Sequence, residues 1–269
     1  MADSFLDETL RVAGVDSAPP ALLQWAASLA RSAPPEAIYR QREGRTTLRF
    51  EWEGRAYFLK LHTGVGWREV FKNLLSLRLP VIGARNEYRA LRRLHEVQLA
   101  VPAIAAFADL GGSHARRQSM IVTRALTGTR SLEDYCADWA TSPPAWVTRM
   151  RLVRLLAQVV SAMHGAGINH RDCYLCHFHL EVPYEGSADA RCYIIDLHRA
   201  QLRSAVPDRW REKDLAGLYF SAMDCGLSRR DLLRFIRHYH DGDLRAGLAD
   251  HARRWQQVQR KGLQLYTRK

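Results

Sequence analysis

No run in the 269 residues approaches eighteen uninterrupted apolar positions, so no transmembrane helix is expected. The opening stretch M-A-D-S-F-L-D-E-T-L-R is acidic and lacks an apolar core, which argues against a secretory signal and for a cytoplasmic chain. Cysteine is sparse. Five residues at scattered spacing exclude a disulfide scaffold and should stay reduced in that compartment. No repeat or low-complexity segment is visible, and an apolar fraction of 47% excludes a disordered chain. Acidic residues are in deficit as well, 28 against 40 Lys and Arg, giving a formal charge of +12 with arginine much commoner than lysine. Such an imbalance predicts an anionic partner: nucleic acid, an anionic membrane surface or a phosphorylated substrate.

The most crowded stretch is N-H-R-D-C-Y-L-C-H-F-H-L, residues 169 to 180. Read from Cys173 it is C-x-x-C-H, a c-type haem attachment signature, but that chemistry needs export in bacteria and no export signal is seen. Cys173, Cys176, His177 and His179 have the spacing of zinc ligands, yet no second C-x-x-C pair or H-x3-H follows at a finger-like distance. Read from His170 it is H-R-D, the catalytic-loop signature of a kinase.

The rest of the chain favours the third reading. Residues 1 to 35 read as a helical preface, clearest from Ala21 to Arg31. T-T-L-R-F-E-W and A-Y-F-L-K-L-H, separated by Glu53-Gly54-Arg55, alternate with period two and predict an antiparallel hairpin, with a further strand over Ile38 to Gly44. Helices are predicted from Gly66 to Leu79 and from Arg85 to Gln98, then two strands joined at Gly111-Gly112, the second being S-M-I-V-T. Beyond Arg124 the pattern is mostly helical, notably Thr148 to His164, Trp210 to Met223 and Arg229 to Tyr239. Two short strands are expected around Phe178 to Val182 and Arg191 to Leu197. The expectation is an α+β, bilobal, protein-kinase-like fold. Residues 1–124 form an N-terminal extension and a β-rich nucleotide-binding lobe with an inserted helix; residues 125–269 form a helical catalytic and acceptor lobe.

Polar residues fall where this chemistry needs them. Lys60 ends the strand Y-F-L-K, the place of a phosphate-binding lysine, and Glu87 in the next helix can pair with it. Taken singly, a solvated lysine and a helix-surface glutamate remain open readings. Asp172 would take the acceptor hydroxyl's proton. Asp196 closes the apolar strand C-Y-I-I-D, where a carboxylate needs a cation or donors, and Mg2+ is the economical choice. A G-x-G-x-x-G cover is missing: only Gly44 lies between the first strands, so the backbone of Q-R-E-G-R-T-T, with Arg42 and Arg45, would have to cradle the phosphates of ATP. Thr123 and Ala125, at the boundary of the two lobes, join Lys60, Glu87, Gly44, Arg45 and His177 in the expected nucleotide set. His177 stands where a protein kinase has asparagine. Imidazole suits softer metals than magnesium, which leaves phosphate contact or an indirect role at the metal beside Asp196.

The block I-N-H-R-D-C-Y-L-C-H-F-H-L, with Y-F-L-K-L-H upstream and Y-I-I-D-L-H-R-A downstream, resembles the lipopolysaccharide core heptose(I) kinase family over roughly residues 36 to 235. That resemblance implies transfer of the γ-phosphoryl of ATP to the 4-hydroxyl of the first inner-core heptose, with Mg2+, at the cytoplasmic face of the inner membrane. It implies Asp172 as base, Lys60 and Glu87 as the nucleotide pair, Asp196 as metal ligand, and Asp214 in R-E-K-D-L as the anchor of the catalytic loop. It also makes His177 a feature of the group. The acceptor would be an anionic glycolipid, which suits the positive charge, and no nucleic acid partner is expected. The helix around Trp67 to Leu79 has Trp67, Phe71, Leu74 and Leu75 on one face. They serve lobe packing or meet an amphiphilic or acidic partner. Competing readings are a protein or small-molecule kinase of the same fold, a pseudokinase, and a zinc-bearing nucleic-acid binder.

Overall fold

The computed structural model describes residues 3–10, 16–42, 44–64, 83–111, 117–187, 189–249 and 251–268. The proposed partner-binding helix at 66–79 lies outside these residues. Contacts divide the chain into two compact units, Met1–Leu91 with Pro102–Leu126, and Arg92–Val101 with Thr127–Lys269.

The first unit is built on a six-stranded antiparallel sheet. Its strands are β1 (Asp3–Leu6), β2 (Ile38–Arg42), β3 (Arg45–Trp52), β4 (Arg55–His62), β5 (Ile104–Asp109) and β6 (Ser119–Arg124), in the order β1-β5-β6-β4-β3-β2. Strand β4 shows why the order matters. Its alternation buries Tyr57, Leu59 and Leu61 on one face, in a cluster with Leu22, Leu23 and Ala26 of α1 (Pro19–Ser32). Each such side chain contributes about 1.5–3 kcal/mol when buried, and a slip of one residue would turn all three outward. The same period sends Lys60 to the opposite face.

That opposite face carries the start of α2 (Arg85–Glu96). Tyr88 stacks on Phe107 of β5 with ring centroids 3.9 Å apart. Arg85 Nε donates to Asp109 Oδ2 at 2.7 Å and Arg117 Nη2 to the same oxygen at 2.6 Å, while the Gly111 amide donates to Oδ1 at 2.7 Å. Asp109 is wholly buried, so these donors are what make its charge tolerable. One expectation is corrected here. Residues 3–6 do not belong to a helical preface; they are the edge strand β1, paired antiparallel with Asp109 to Ala106 of β5. The run is too short to show either period, and only a partner distant in sequence selects the strand.

The second unit is largely helical: α3 (Leu132–Tyr135), α4 (Trp146–Gly165), α5 (Asp208–Ala222), α6 (Arg229–Tyr239), α7 (Leu244–Ala249) and α8 (Ala252–Tyr266). Leu152, Leu156, Val160 and Met163 of α4 form its buried stripe. Between α4 and α5 lie short strands β8 (Ile168–Asn169), β9 (Phe178–Glu181), β10 (Cys192–Ile194) and β11 (Gln201–Leu202); β7 (Thr129–Ser131) precedes α3. They pair as β10-β9-β7 and β11-β8. Strands of two or three residues are set by pairing rather than by pattern, and they pin the loops that carry the chemistry.

Candidate active site

In the second unit the H-R-D loop leaves β8 and crosses α5. Asp214 of α5, almost wholly buried, accepts the His170 amide on Oδ2 at 2.6 Å and the Arg171 amide on Oδ1 at 2.8 Å. Its Oδ2 also meets His164 Nε2 at 3.3 Å, and the Tyr239 hydroxyl closes the chain at 2.7 Å from His164 Nδ1. Arg171 holds φ at 73°, a left-handed conformation uncommon for a non-glycine residue, and the bond from its amide to Asp214 fixes it. Helix α5 can approach because position 217 is glycine. A Cβ there would meet the Cys173 carbonyl at 2.9 Å and the Tyr174 ring at 3.3 Å.

Asp172 follows directly. Its Oδ1 accepts Arg199 Nη1 at 2.6 Å, whereas Oδ2 makes no hydrogen bond among the described residues. His177, on the turn before β9, donates from Nδ1 to the Asp172 carbonyl at 2.7 Å. That bond leaves Nε2 as the lone-pair nitrogen of the neutral ring, 3.8 Å from Asp196 Oδ2. Asp196 caps β10 in the left-handed region at φ 57°, and its Oδ1 lies 2.7 Å from His198 Nδ1. Thus Asp172, His177 and Asp196 are brought together, tied further by His170 Nε2 donating to the Ile195 carbonyl at 3.0 Å.

In the first unit, Lys60 Nζ donates to Glu87 Oε1 at 2.6 Å, and the other carboxylate oxygen of Glu87, also buried, has no partner among the described residues. Thr123 lies two residues from Ile121, the cross-strand neighbour of Lys60, and so shares its face of the sheet. The Ala125 amide is already taken by the Ala56 carbonyl at 2.9 Å. Gly44, at φ 71°, sits at the tip of a tight hairpin in which Arg42 pairs with Arg45. The segment expected to cradle phosphates therefore lies where the paired strands β2 and β3 meet.

The zinc alternative finds no support in the thiols. Cys173 is enclosed and burial pushes its pKa well up, while Cys176 is pushed up to about 11, first by burial and then by the Glu133 charge. Among the described residues no group of three or more His, Cys, Asp or Glu side chains gathers as a metal cage.

Two contacts escaped sequence reasoning. Arg199 and His198 stand immediately after Asp196 in D-L-H-R and grip Asp172 and Asp196 respectively. Their adjacency was visible in the sequence; which aspartate each would reach was not.

The sequence matches the family model described as "Lipopolysaccharide kinase (Kdo/WaaP) family" over residues 30–239. The chain belongs to this family. Among its relatives, the lipopolysaccharide core heptose(I) kinase WaaP of Pseudomonas aeruginosa is 51% identical over 233 residues, covering 86% of this chain and 87% of the relative. The protein of the same name from Escherichia coli K12 is 50% identical over 209 residues, covering 77% and 79%. The solved structure of WaaP in complex with acyl carrier protein superposes with a TM-score of 0.82 at 42% identity, covering 98% of this chain and 99% of that one. The Kdo/WaaP chain described here is accordingly an α+β protein of the protein-kinase-like fold, and membership of a kinase family implies use of ATP.

His164 and His170 give the family scaffold a pH signature. Burial holds both below the ordinary value near 6.5, the neighbouring His177 adding to the effect at His170. Native histidines stay neutral while unfolded ones take up protons. Their contribution to stability is thus present above about pH 6.5 and lost as pH falls below it. Asp109 and Asp231 are also lowered, by a different cause: burial raises each pKa, but hydrogen bonds from Arg117 and Arg85 at Asp109, and from Ser228 at Asp231, outweigh it. That contribution is lost only below about pH 4. Denaturant midpoints should therefore fall between pH 7.5 and 5.5; a flat profile there would show that these histidines protonate freely in the native state.

Proposed function

We propose that the protein phosphorylates the 4-hydroxyl of the first heptose of the lipopolysaccharide inner core, taking the γ-phosphoryl of ATP by in-line transfer. The observation that carries this reading is the half-identity to two proteins named lipopolysaccharide core heptose(I) kinase, in a chain whose H-R-D loop leaves one oxygen of Asp172 open. Asp172 Oδ2 accepts the proton of the acceptor hydroxyl as that oxygen bonds to the γ-phosphorus. The bond to the β,γ-bridging oxygen breaks, and ADP leaves with the electron pair. Lys60, steadied by Glu87, neutralises phosphate charge, and Thr123, Ala125, Gly44 and Arg45 border the nucleotide in the same unit.

Magnesium fits the Asp196 carboxylate, because the ion is satisfied by one or two carboxylates with the rest of its shell from phosphate and water. When bound it supplies charge neutralisation at the transferring phosphate. His177 Nε2 suits a hard cation less well and would serve it only indirectly. Its other nitrogen keeps the Asp172 backbone in place.

The acceptor is a lipid-anchored anionic glycan, so we also infer work at the cytoplasmic face of the inner membrane. Each basic residue close to an anionic surface contributes about 1 kcal/mol there. Among the described residues no helix is long and apolar enough to cross a membrane. The complex formed by the solved relative extends the reading to acyl carrier protein as a partner of this chain.

Replacing Glu87 with glutamine should raise the KM for ATP roughly tenfold or more. Lys60 then loses a charge-assisted bond of about 1.5–3 kcal/mol that holds it in position. An unchanged KM would remove the pair from the nucleotide site. The acceptor position is tested by 31P NMR of the product: a monoester on O-4 of the first heptose is expected, and a monoester on another sugar contradicts the assignment.

A further inference from the structure

The first turn of α5 gathers an unusual number of cations around one indole. Arg209 Cζ lies 5.2 Å from the Trp210 ring centroid, Lys213 Nζ 5.6 Å, and the Cζ atoms of Arg171 and Arg203 each 5.7 Å. Attraction to a single ring does not account for four cations repelling one another in so small a space. Close pairing with carboxylates among the described residues does not account for them either. Asp208 turns away to Arg254 at 2.6 Å and Glu212 to Lys261 at 2.5 Å, both on α8. Asp214 is occupied by the catalytic-loop amides, and Asp172 by Arg199. Arg203 donates to the neutral side chains of Asn169 and Gln201. Arg171, Arg209 and Lys213 have no hydrogen-bonded or ion-paired acid among the described residues.

Two buried donors of these residues, Arg171 Nε and Trp210 Nε1, also lack a partner among the described residues. A buried donor without a partner costs about 1–3 kcal/mol, so two of them among these cations favour a ligand with several acceptor oxygens and negative charge. Repulsion is felt within the cluster: burial, then the charge of Arg199, depresses Arg171, and burial, then Arg171 and Arg199, depresses Lys213, an effect that the charges of Asp172 and Asp214 offset only in part. A bound anion would relieve it.

We infer that Arg171, Arg203, Arg209 and Lys213, grouped around Trp210, form an anion subsite for the acceptor glycan, holding a sugar carboxylate or a glycan phosphate next to the hydroxyl presented to Asp172. The inference rests on the kinase reading above and extends it from the reacting group to the determinant of acceptor choice. Arg199 links the two, since the guanidinium that grips Asp172 is also felt as a charge by Arg171 and Lys213. An acceptor lacking the acidic group would leave the cluster uncompensated and bind weakly.

Binding, read directly by calorimetric titration of the unphosphorylated inner-core oligosaccharide, tests this apart from catalysis. The exposed pair is replaced in Arg209→Gln/Lys213→Gln, with Lys213→Gln alone as a milder variant. The acceptor Kd should rise at least tenfold in the double variant and by less in the single one, while the Kd for a non-hydrolysable ATP analogue stays within twofold. Carboxyl-reduced oligosaccharide binding wild type as weakly as the double variant would identify the anion as a carboxylate; the same loss on enzymatic dephosphorylation instead would identify a phosphate. Unchanged acceptor binding in the double variant, a loss confined to the ATP analogue, or full affinity for both neutralised glycans would overturn the subsite. Tight oligosaccharide binding sensitive to the variants, without phosphoryl transfer by wild type, would retain the subsite and overturn the kinase reading.

Discussion

Replacing Asp172 with asparagine should lower kcat by about 10² to 10⁴, the range expected for a lost general base. The substitution keeps size and shape, and the Asn carbonyl oxygen can still accept from Arg199, as Asp172 Oδ1 does at 2.6 Å. The loop should survive, because its anchors are the His170 and Arg171 amides on Asp214 and the Asp172 carbonyl accepting from His177, none of which uses the Asp172 side chain. What disappears is the second oxygen, the one with no hydrogen bond, as a proton acceptor. The melting temperature should remain that of wild type. Steady-state kinetics with purified protein check this, and near-normal kcat would remove Asp172 from the role of base.

Asp214→Ala should lower kcat and stability together. The side chain lies in the core, and its two oxygens serve two backbone amides and one imidazole. Truncation strands all three donors in a dry site, and breaking a buried charged network of this kind costs about 3–5 kcal/mol. Arg171 then has nothing to hold φ at 73°, and the neighbouring Asp172 loses its placement. Asp214→Asn should fall between wild type and alanine, because its amide oxygen replaces one acceptor while its NH2 opposes the other donor. Calorimetric melting and turnover measured on the same samples separate the two aspartates: loss of kcat alone at Asp172, loss of both at Asp214. An Asp214→Ala protein with wild-type melting behaviour would mean that the loop supports itself.

How much of this was legible in the sequence depended on the range of the interactions. Strand β4 announced itself through Tyr57, Leu59 and Leu61, and the same alternation isolated Lys60 on the other face. Helix α4 carried a stripe long enough to read, from Leu152 to Met163. Strand β1 was misread as part of a helical preface because four residues hold no period, and its identity comes from β5 about a hundred residues later. The two-residue strands β8 and β11 are invisible for the same reason. At the site, Asp172 and Asp196 could be named from H-R-D and from the carboxylate closing an apolar run. The grip of Arg199 on Asp172 spans 27 residues and follows from the left-handed turn at Asp196, a backbone state that no side-chain pattern encodes. The cations around Trp210 come from the loop, from the end of β11 and from α5, so only their meeting in space makes them a cluster.

The central claim is sugar phosphorylation with Asp172 as the base. Its most direct test is transfer of labelled γ-phosphate from Mg-ATP to purified inner-core lipopolysaccharide lacking the heptose phosphate, with Asp172→Asn run beside wild type. The account predicts labelled glycolipid from wild type and a rate at least a hundredfold lower from the variant. Equal labelling by both proteins, or none by wild type while ATP still binds, would contradict it.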